Sequence, residues 1–358
     1  MWDTTKYASN ICDVKLPNVE QHSSINIYAN NNKSFISKIK YQISKKILNK
    51  QKVDNSKVNQ AELIYMWGSI PRNSNKKFIV ELDNPYSLAY YHKDNFIKQK
   101  NSIKKNLRAA HKITYLSEAC KNHTLEIFGK EFEEKSFVTY PYMQNNYKKN
   151  KRDDDIVNLI FVGLNSRGKG GYELLEAFTH SKDKKLRLTF ISNVDRVIKD
   201  RYKDDNRINI LPPQSREKLL NEIYPKMDVM IFPSFYESFG VVLLEALSYG
   251  MAIITLNVYA IPEMVKDGYN GKLLKHPILK PTILNNKEII NCVDLRIEDF
   301  HKRYLENDEF YYGLYNDLKL SISEINVNYK QWQKNSVELF KNKFAPDIWL
   351  QNFKKIIE

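Results

Sequence analysis

Two carboxylates, Glu237 and Glu245, stand on either side of the run SFGVVLL. The apolar composition of residues 237–250 predicts a buried helix with one charge, at Glu245, in its middle. An unpaired ionised carboxylate in an apolar interior costs several kcal/mol or more. Glu245 therefore requires a partner. The pattern leaves two sources open: an arginine or backbone amides of the protein itself, or a bound ligand.

Two loops, each between a predicted strand and a predicted helix, have the composition of anion sites. In GLNSRGKGG (163–171), Gly163 and Gly170 let the backbone approach a phosphate, and Arg167 and Lys169 supply positive charge. The segment matches neither the P-loop nor the dinucleotide-binding GxGxxG pattern. The second loop, PSFYESFG (233–240), leads into the helix of Glu245, whose first amides lack intrahelical acceptors and suit an anion. These amides belong to Ser238, Phe239, Gly240 and Val241.

Two anion sites in one domain suit a diphosphate, and a nucleotide sugar is a diphosphate with a hydroxylated group at each end. Carboxylates accept hydrogen bonds from hydroxyls. Glu237, just ahead of the helix, and Glu245, about two turns inside it, would hold opposite ends of such a ligand. The residues thus favour a nucleotide-sugar site.

The order of the predicted elements explains how the two loops meet. Residues 156–256 alternate between strands and helices, which is typical of a doubly wound α/β domain. Ligands of such domains bind at the carboxyl ends of the strands, where both loops lie. The predicted strands are 156–163, 186–192, 208–211, 228–234 and 252–256, and the predicted helices include 172–180 and 215–224.

The first half of the chain shows the same alternation, and 358 residues exceed the usual size of a single core, so two domains are expected. Its predicted strands are 24–29, 62–67, 77–82 and 112–117. A helix over 34–50 has an apolar stripe, which is typical of a helix packed on a sheet or, alternatively, lying on a membrane surface. Long polar helices are expected from about residue 280. The expected divisions are 1–150, 151–335 and a C-terminal helix within 336–358.

The formal net charge of +14 is concentrated in residues 1–150, which hold 25 Lys and Arg against 13 Asp and Glu. This excess favours an anionic partner, either a nucleic acid, a lipid surface or a phosphorylated substrate, while a solvated lysine-rich surface is the alternative. Zinc-finger spacing and RNA-recognition motifs are missing from the sequence, so no nucleic-acid partner is expected.

The cysteines and the N-terminus bear on the compartment. Cys12, Cys120 and Cys292 are far apart, which argues against a disulfide framework or a metal cluster and for a reducing compartment. The sequence has neither a signal-peptide pattern nor an apolar run long enough to span a bilayer. We expect a cytoplasmic protein, at most peripheral at the inner face of the membrane.

Residues 233–274 resemble the donor-site region of glycosyltransferase family 4, a group of retaining enzymes with the GT-B fold. The family's hallmark is a Glu, seven residues and a second Glu, which Glu237 and Glu245 match. The intervening Ser238, Phe239 and Gly240 also match. Further segments are similar to the phosphate loop, to the strands leading to the first Glu and to the acceptor-side strands. These segments are 161–178, 208–234, 77–86, 113–129 and 136–143.

The resemblance implies two Rossmann-like doubly wound domains that face a central cleft, with the C-terminal helix packed back on the N-terminal domain. Lys169 would neutralise the donor diphosphate, Glu237 would hold the transferred sugar and Glu245 would bind ribose hydroxyls. The amides of residues 239–241 would meet phosphate or sugar oxygens. Transfer would keep the anomeric configuration and need no metal or other cofactor, because cationic side chains stabilise the leaving diphosphate. The acceptor would be a glycan, lipid-linked or protein-linked, in the synthesis of a surface polysaccharide such as lipopolysaccharide or of another glycoconjugate.

Several positions depart from the family pattern. Leu164 stands where many members have an Arg, so Arg167 would replace it, and Ser192 stands where a Gly is expected. Asp83 stands where many members have a His, and is counted as catalytic with Glu237, Lys169 and Arg167. No glycine precedes Gly68, so the glycine-rich loop after the first strand has no counterpart. The alternative is therefore a GT-B protein that binds a glycan or nucleotide without turnover.

Overall fold

The computed structural model describes residues 47–48, 50–51, 61–72, 75–148, 155–294, 300, 302 and 310–358. The predicted strand 24–29 and most of the predicted helix 34–50 lie outside these residues. The chain divides into two compact units, unit 1 with Met1–Pro141 and Pro346–Glu358, and unit 2 with Tyr142–Ala345. The division thus follows Pro141 rather than residue 150, and the returning C-terminal segment begins at Pro346 rather than at residue 336.

The elements have these bounds. The strands are β1 (Lys50–Gln51), β2 (Leu63–Trp67), β3 (Ile70–Pro71), β4 (Lys77–Leu82), β5 (Lys112–Tyr115), β6 (Ser136–Val138), β7 (Val157–Asn165), β8 (Leu186–Asn193), β9 (Ile208–Leu211), β10 (Val229–Phe232), β11 (Ala252–Leu256), β12 (Gly271–Leu274), β13 (Thr282–Leu284) and β14 (Lys287–Ile289). The α-helices are α1 (Lys93–Ala109), α2 (Glu118–Phe128), α3 (Gly171–Thr179), α4 (Arg196–Tyr202), α5 (Arg216–Lys218), α6 (Val241–Ser248), α7 (Tyr312–Ser323), α8 (Ile325–Lys343) and α9 (Pro346–Ile357).

Unit 1 is built on a four-stranded parallel sheet in the order β2-β4-β5-β6. The strand KFIVEL of β4 is buried along almost its whole length, as expected for a parallel sheet covered on both faces. Helix α9 packs in this unit: the rings of Tyr65 and Phe353 lie 5.5 Å apart, and Lys112 donates to the Lys355 carbonyl at 3.0 Å. The C-terminal helix therefore returns to the N-terminal domain, as the resemblance implies.

Unit 2 is built on a six-stranded parallel sheet in the order β12-β11-β10-β7-β8-β9. The chain runs outward from β7 through β8 to β9, then returns to the centre and runs outward the other way from β10 to β12. The order therefore reverses between the adjacent strands β7 and β10, which pair through Val229 with Leu159 and Met230 with Ile160. In open α/β sheets, ligands bind in the crevice beyond such a switch point. The doubly wound prediction is confirmed.

Besides shifts of one or two residues at several element ends, three predicted elements differ from the structure. The helix expected over 237–250 begins only at Val241, because Gly240 has a φ of +86°, outside the helical region. The helix expected over 215–224 is α5 followed by a π-helical turn, Leu219–Ile223, and a 3₁₀ turn, Tyr224–Lys226. The region after residue 280 starts with the antiparallel hairpin β13–β14, whose turn residues Asn285 and Asn286 both have positive φ, as a type I′ turn requires.

Within the described part of the chain, no helix combines the length and apolar character needed to cross a bilayer.

Candidate functional site

The loop after β7 is a tight turn held by its own backbone. The Asn165 side-chain oxygen accepts from the Gly168 amide at 3.0 Å, and the Asn165 carbonyl accepts from the Lys169 amide at 3.2 Å. The Gly171 amide donates to the Ser166 carbonyl at 2.7 Å. These bonds fix the backbone from which the Lys169 side chain extends.

Two buried side chains, those of His276 and Cys292, bond to the backbone of the loop after β10, residues 233–240. His276 accepts from the Ile278 and Leu279 amides at Nδ1, so its proton is on Nε2, which donates to the Phe235 carbonyl at 2.9 Å. Burial lowers the pKa of His276, which favours this neutral form. The Cys292 thiol donates to the Glu237 carbonyl at 3.1 Å, and burial raises its pKa to about 12. Both groups act as fixed supports for the loop.

The two loops are in direct contact. The Phe235 amide donates to the Gly168 carbonyl at 3.3 Å, and the Lys169 ammonium donates to the Tyr236 carbonyl at 3.1 Å. Gly170 has a φ of +66°, and a Cβ atom there would lie 2.5 Å from the Pro233 carbonyl oxygen. Only glycine fits both the conformation and the space, so Gly170 sets how closely the loops approach.

Lys169 and Glu237 form an ion pair across this contact. The Lys169 side chain is 26% exposed and the Glu237 side chain is 18% exposed, so both charges are accessible to solvent but largely shielded from it. The Lys169 ammonium also lies 5.3 Å from the centre of the Phe232 ring. Gly163 leaves room for this side chain, since a Cβ atom there would lie 3.1 Å from the Lys169 Cγ. Two of the predicted site residues are therefore adjacent, one cationic and one anionic, at the switch point.

The N-terminus of α6 opens beside Glu237. Gly240, in the left-handed conformation, is its N-cap. The Leu243 amide donates to the Gly240 carbonyl at 2.9 Å, and the two amides before it, of Val241 and Val242, have no acceptor within the helix. Val241 is 38% exposed, whereas the Phe239 side chain is buried. This helix start provides partial positive charge next to the ion pair. Ser238 lies in the connecting loop with a partly exposed side chain.

Glu245 lies inside α6 with a side chain only 7% exposed. Its Oε1 accepts from Arg216 Nε at 2.8 Å, and its Oε2 accepts from the Tyr224 hydroxyl at 3.2 Å. Burial and the neighbouring Glu245 charge raise the pKa of Tyr224, which keeps the hydroxyl protonated as a donor. The sequence leaves either the protein or a ligand as the partner of Glu245, and in the structure the protein provides that partner, Arg216.

Four further positions singled out in the sequence have defined surroundings. Arg167 lies in the β7 loop with its guanidinium 5.8 Å from the centre of the Tyr172 ring, and Leu164 is 61% exposed. The Ser192 hydroxyl donates to the Gly163 carbonyl, so the serine that replaces the expected glycine supports the loop. Asp83 follows β4 in unit 1, where its carboxylate accepts from the Tyr91 hydroxyl at 3.1 Å.

Sequence reasoning did not single out Arg216, Tyr224, His276 or the role of Cys292. Arg216 and Tyr224 stand at the two ends of the predicted helix 215–224, which follows a strand at the same sheet edge. An arginine at the start of that helix was the available signal for a partner of Glu245. Regarding metals, the described residues contain no group of three or more His, Cys, Asp or Glu side chains arranged to hold an ion.

Part of the chain is similar in sequence to known proteins. Residues 143–284 match the family "Glycosyl transferases group 1". A stretch of 69 residues is 42% identical to D-inositol 3-phosphate glycosyltransferase of Mycolicibacterium smegmatis, covering 19% of this chain and 16% of that protein. The chain thus spans about a sixth of the length of that curated relative.

Two solved structures share the fold. The glycosyltransferase from Rickettsia africae has a TM-score of 0.57 and 16% identity, over 93% of this chain and 83% of that one. Anabaena HepE in complex with UDP and glucose has a TM-score of 0.56 and 15% identity, over 84% of this chain and 79% of that one. The fold of this chain is GT-B, and the family match is confined to residues 143–284.

Proposed function

We propose that this protein is a glycosyltransferase that moves a sugar from a nucleoside-diphosphate donor to a glycan, lipid-linked or protein-linked acceptor. The observation that carries the proposal is the contact between the β7 and β10 loops at the switch point of unit 2. That contact combines Lys169, Glu237 and the start of α6 in one place. The group 1 match over residues 143–284 supports the same function.

The proposed donor lies along these groups. Its diphosphate contacts Lys169 and the first amides of α6, because both carry positive charge at the same sheet edge. The transferred sugar bonds to Glu237, and the ribose hydroxyls bond to Glu245. The solved HepE structure contains UDP and glucose, which have the same chemical parts as the proposed ligand.

Charge development explains how these residues would promote transfer. As the bond between sugar and diphosphate breaks, negative charge grows on the diphosphate oxygens. Once the bound donor has replaced Glu237 as the partner of Lys169, this ammonium, Arg167 and the α6 amides stabilise the growing charge without further reorganisation. We further propose that the anomeric configuration is retained and that no metal is needed, because these cationic groups take the place of a metal ion beside the phosphates.

The acceptor side is assigned to unit 1. We propose Asp83, at the carboxyl end of β4, as the residue that contacts the acceptor hydroxyl. The basic N-terminal domain would face a lipid-diphosphate acceptor or the anionic inner face of the membrane, through lysine-rich helices such as α1. This arrangement suits a cytoplasmic enzyme of surface-polysaccharide or glycoconjugate synthesis.

The test is an assay of nucleotide release. Purified protein is incubated with a panel of UDP-, GDP-, ADP- and dTDP-sugars, with and without an extract of lipid-linked and free glycans, in buffer containing EDTA. We expect one donor to be consumed by the native protein and not by Lys169→Ala. Failure of the folded native protein to bind or consume any donor would overturn the proposal.

A second function, donor binding without turnover, is favoured by Leu164, which replaces a cationic residue of the family pattern. It predicts that a nucleotide sugar binds in calorimetry and that binding is lost in Lys169→Ala, but that no acceptor releases the nucleotide. The release assay and the titration together separate the two functions.

A further inference from the structure

We propose that Arg216 and Tyr224 are positioning residues that hold the Glu245 carboxylate ready for the two ribose hydroxyls, and that Arg216 thereby sets a preference for ribose over 2′-deoxyribose. This inference rests on the proposed function, since it concerns the nucleoside end of the same donor. Under that function the diphosphate contacts Lys169 and the first amides of α6, and the sugar contacts Glu237.

The contacts of Glu245 define the arrangement. Arg216 Nε bonds to one carboxylate oxygen at 2.8 Å and the Tyr224 hydroxyl bonds to the other at 3.2 Å. The carboxylate is thus fixed at both oxygens, and it cannot rotate without losing one bond. A group held in this way is oriented before its ligand arrives, which lowers the entropy cost of binding.

A π-helical turn brings the two partners to the same side of their helix. Residues eight apart in a regular α-helix point about 80° away from each other, since each residue turns by about 100°. The π-turn Leu219–Ile223 contains one extra residue, and the Tyr224 amide bonds to the Leu219 carbonyl, five residues back. Tyr224 therefore occupies the direction that the seventh residue after Arg216 would have, about 20° from alignment.

The π-turn is held in place by Tyr249, the residue that follows α6. The Tyr249 hydroxyl, just after the end of α6, donates to the Leu220 carbonyl inside the turn. The Tyr249 and Tyr224 rings also meet edge to face, with centres 5.6 Å apart. Isolated π-turns are rare and occur often at functional sites. In this unit the turn has a specific result, the alignment of two donors on one carboxylate.

The carboxylate retains acceptor capacity for a ligand. An ionised carboxylate has about four lone-pair positions, of which Arg216 and Tyr224 use two. The 2′ and 3′ hydroxyls of ribose offer two donors, so the remaining capacity matches a ribose and exceeds what 2′-deoxyribose can fill. The Arg216 side chain is 52% exposed, so the guanidinium that pairs with the buried Glu245 carboxylate lies at the protein surface.

Four variants test the proposal. Arg216→Ala removes the ion pair, Arg216→Lys restores the charge without the fixed guanidinium, and Tyr224→Phe removes a single hydroxyl. Arg201→Ala is the matched control, because Arg201 pairs with Glu176 at 3.2 Å within the same unit and has no contact with Glu245. UDP, GDP and ADP are titrated into each protein by calorimetry, and the one that native protein binds most tightly is compared with its 2′-deoxy form.

We expect native protein and Arg201→Ala to bind the ribonucleotide roughly tenfold more tightly than the 2′-deoxynucleotide, as for loss of one hydrogen bond to a charged group. Arg216→Ala should bind the ribonucleotide roughly tenfold more weakly and show less than a twofold preference. Arg216→Lys should recover part of the preference, and Tyr224→Phe should lie between the native protein and Arg216→Ala.

Three outcomes would overturn the inference while the donor site stands. One is a folded Arg216→Ala that keeps both affinity and preference, and another is an equal loss for both nucleotides, which would mark a merely structural role. The third is a native protein that binds the diphosphate without any ribose preference. If Arg216→Ala does not fold, Tyr224→Phe decides between the same outcomes. Failure of native protein to bind any of the three diphosphates would instead count against the proposed function.

Discussion

The Lys169 ammonium and the Glu237 carboxylate form an ion pair that joins the loop after β7 to the loop after β10. Each residue is the partner of the other because Gly170 allows the loops to approach this closely. Each of these two charged groups is paired with the other, and each could instead pair with a group of a nucleotide sugar. Under the proposed function, the donor diphosphate takes over Lys169, and Glu237 becomes available to the sugar hydroxyls.

The exchange of partners makes a prediction for Glu237→Gln. Glutamine has no charge with which to compete for Lys169, so the nucleoside diphosphate should bind this variant as tightly as native protein or more tightly. Turnover of the nucleotide sugar should fall at least about a hundredfold, in the range seen when one polar group at a reaction centre is removed. Titration of the diphosphate and a nucleotide-release assay measure the two effects. Equal losses in diphosphate affinity and in turnover would contradict the exchange.

The approach of the loops makes a prediction for Gly170→Ala. The left-handed backbone costs a non-glycine residue about 1–2 kcal/mol, and the new Cβ would clash with the Pro233 carbonyl oxygen. We expect a loss of roughly 3 kcal/mol in the free energy of unfolding of unit 2, together with weaker nucleotide binding. Denaturant unfolding and calorimetry provide both readings.

Gly313→Ala is the control for this loss. Gly313 lies in α7 and nothing is within 4 Å of its Cβ position, so alanine should be neutral or stabilise the helix by up to about 1 kcal/mol. If Gly170→Ala behaved like Gly313→Ala, the close contact of the two loops would be wrong.

Glu245→Gln should lower both stability and nucleotide affinity. If the partner of Glu245 were a bound ligand, one of the two sources that the sequence leaves open, the substitution would lower affinity with little change in stability. The ion pair with Arg216 changes this expectation: breaking a largely buried pair is costly, but Arg216 is half exposed, so we expect about 1–2 kcal/mol. Glu324→Gln, which breaks the 2.8 Å pair with Lys272, is the control and should cost less. An unchanged unfolding free energy in Glu245→Gln would contradict this account.

Glu81 in β4 predicts a pH-dependent stability of unit 1. Burial, with a contribution from the nearby Asp83 charge, raises the pKa of Glu81 to about 7. The folded protein therefore keeps a proton that the unfolded chain loses above about pH 4.5, so stability falls as pH rises between about 4.5 and 7. Glu81→Gln, which copies the protonated form, should be more stable than native protein at pH 8 by roughly 2–3 kcal/mol. The advantage should shrink towards zero near pH 4.5, as measured by denaturant unfolding at each pH. The same advantage at both pH values would refute burial of the Glu81 charge as the cause.

Much of unit 2 could be predicted from the sequence because its strands are continuous apolar runs between turn residues. The strands 208–211 and 252–256 have the predicted bounds. Helix α6 was predicted to be longer than it is, because apolar composition does not show that Gly240 adopts a left-handed conformation. The hairpin β13–β14 was missed for a related reason: its strands are short and mostly exposed, so they lack an apolar pattern.

The candidate site was predicted where a motif is local in sequence and missed where it depends on distant contacts. The two loops and Glu237 follow from residue type and position beside a strand. The pairing of Lys169 with Glu237 spans 68 residues, and the pairing of Arg216 with Glu245 spans 29. The bond from Tyr224 to the same carboxylate also depends on the π-turn Leu219–Ile223, which has no signature in the sequence.

The most direct test of the central claim, that the two loops form a nucleotide-sugar donor site, is a calorimetric titration of nucleotide sugars into native protein and Lys169→Ala. We predict that one nucleotide sugar binds native protein with a stoichiometry of about one and binds Lys169→Ala at least roughly tenfold more weakly, since a charge-assisted contact to phosphate is lost. Equal binding by the two proteins, or no binding of any nucleotide sugar by folded native protein, would contradict the claim.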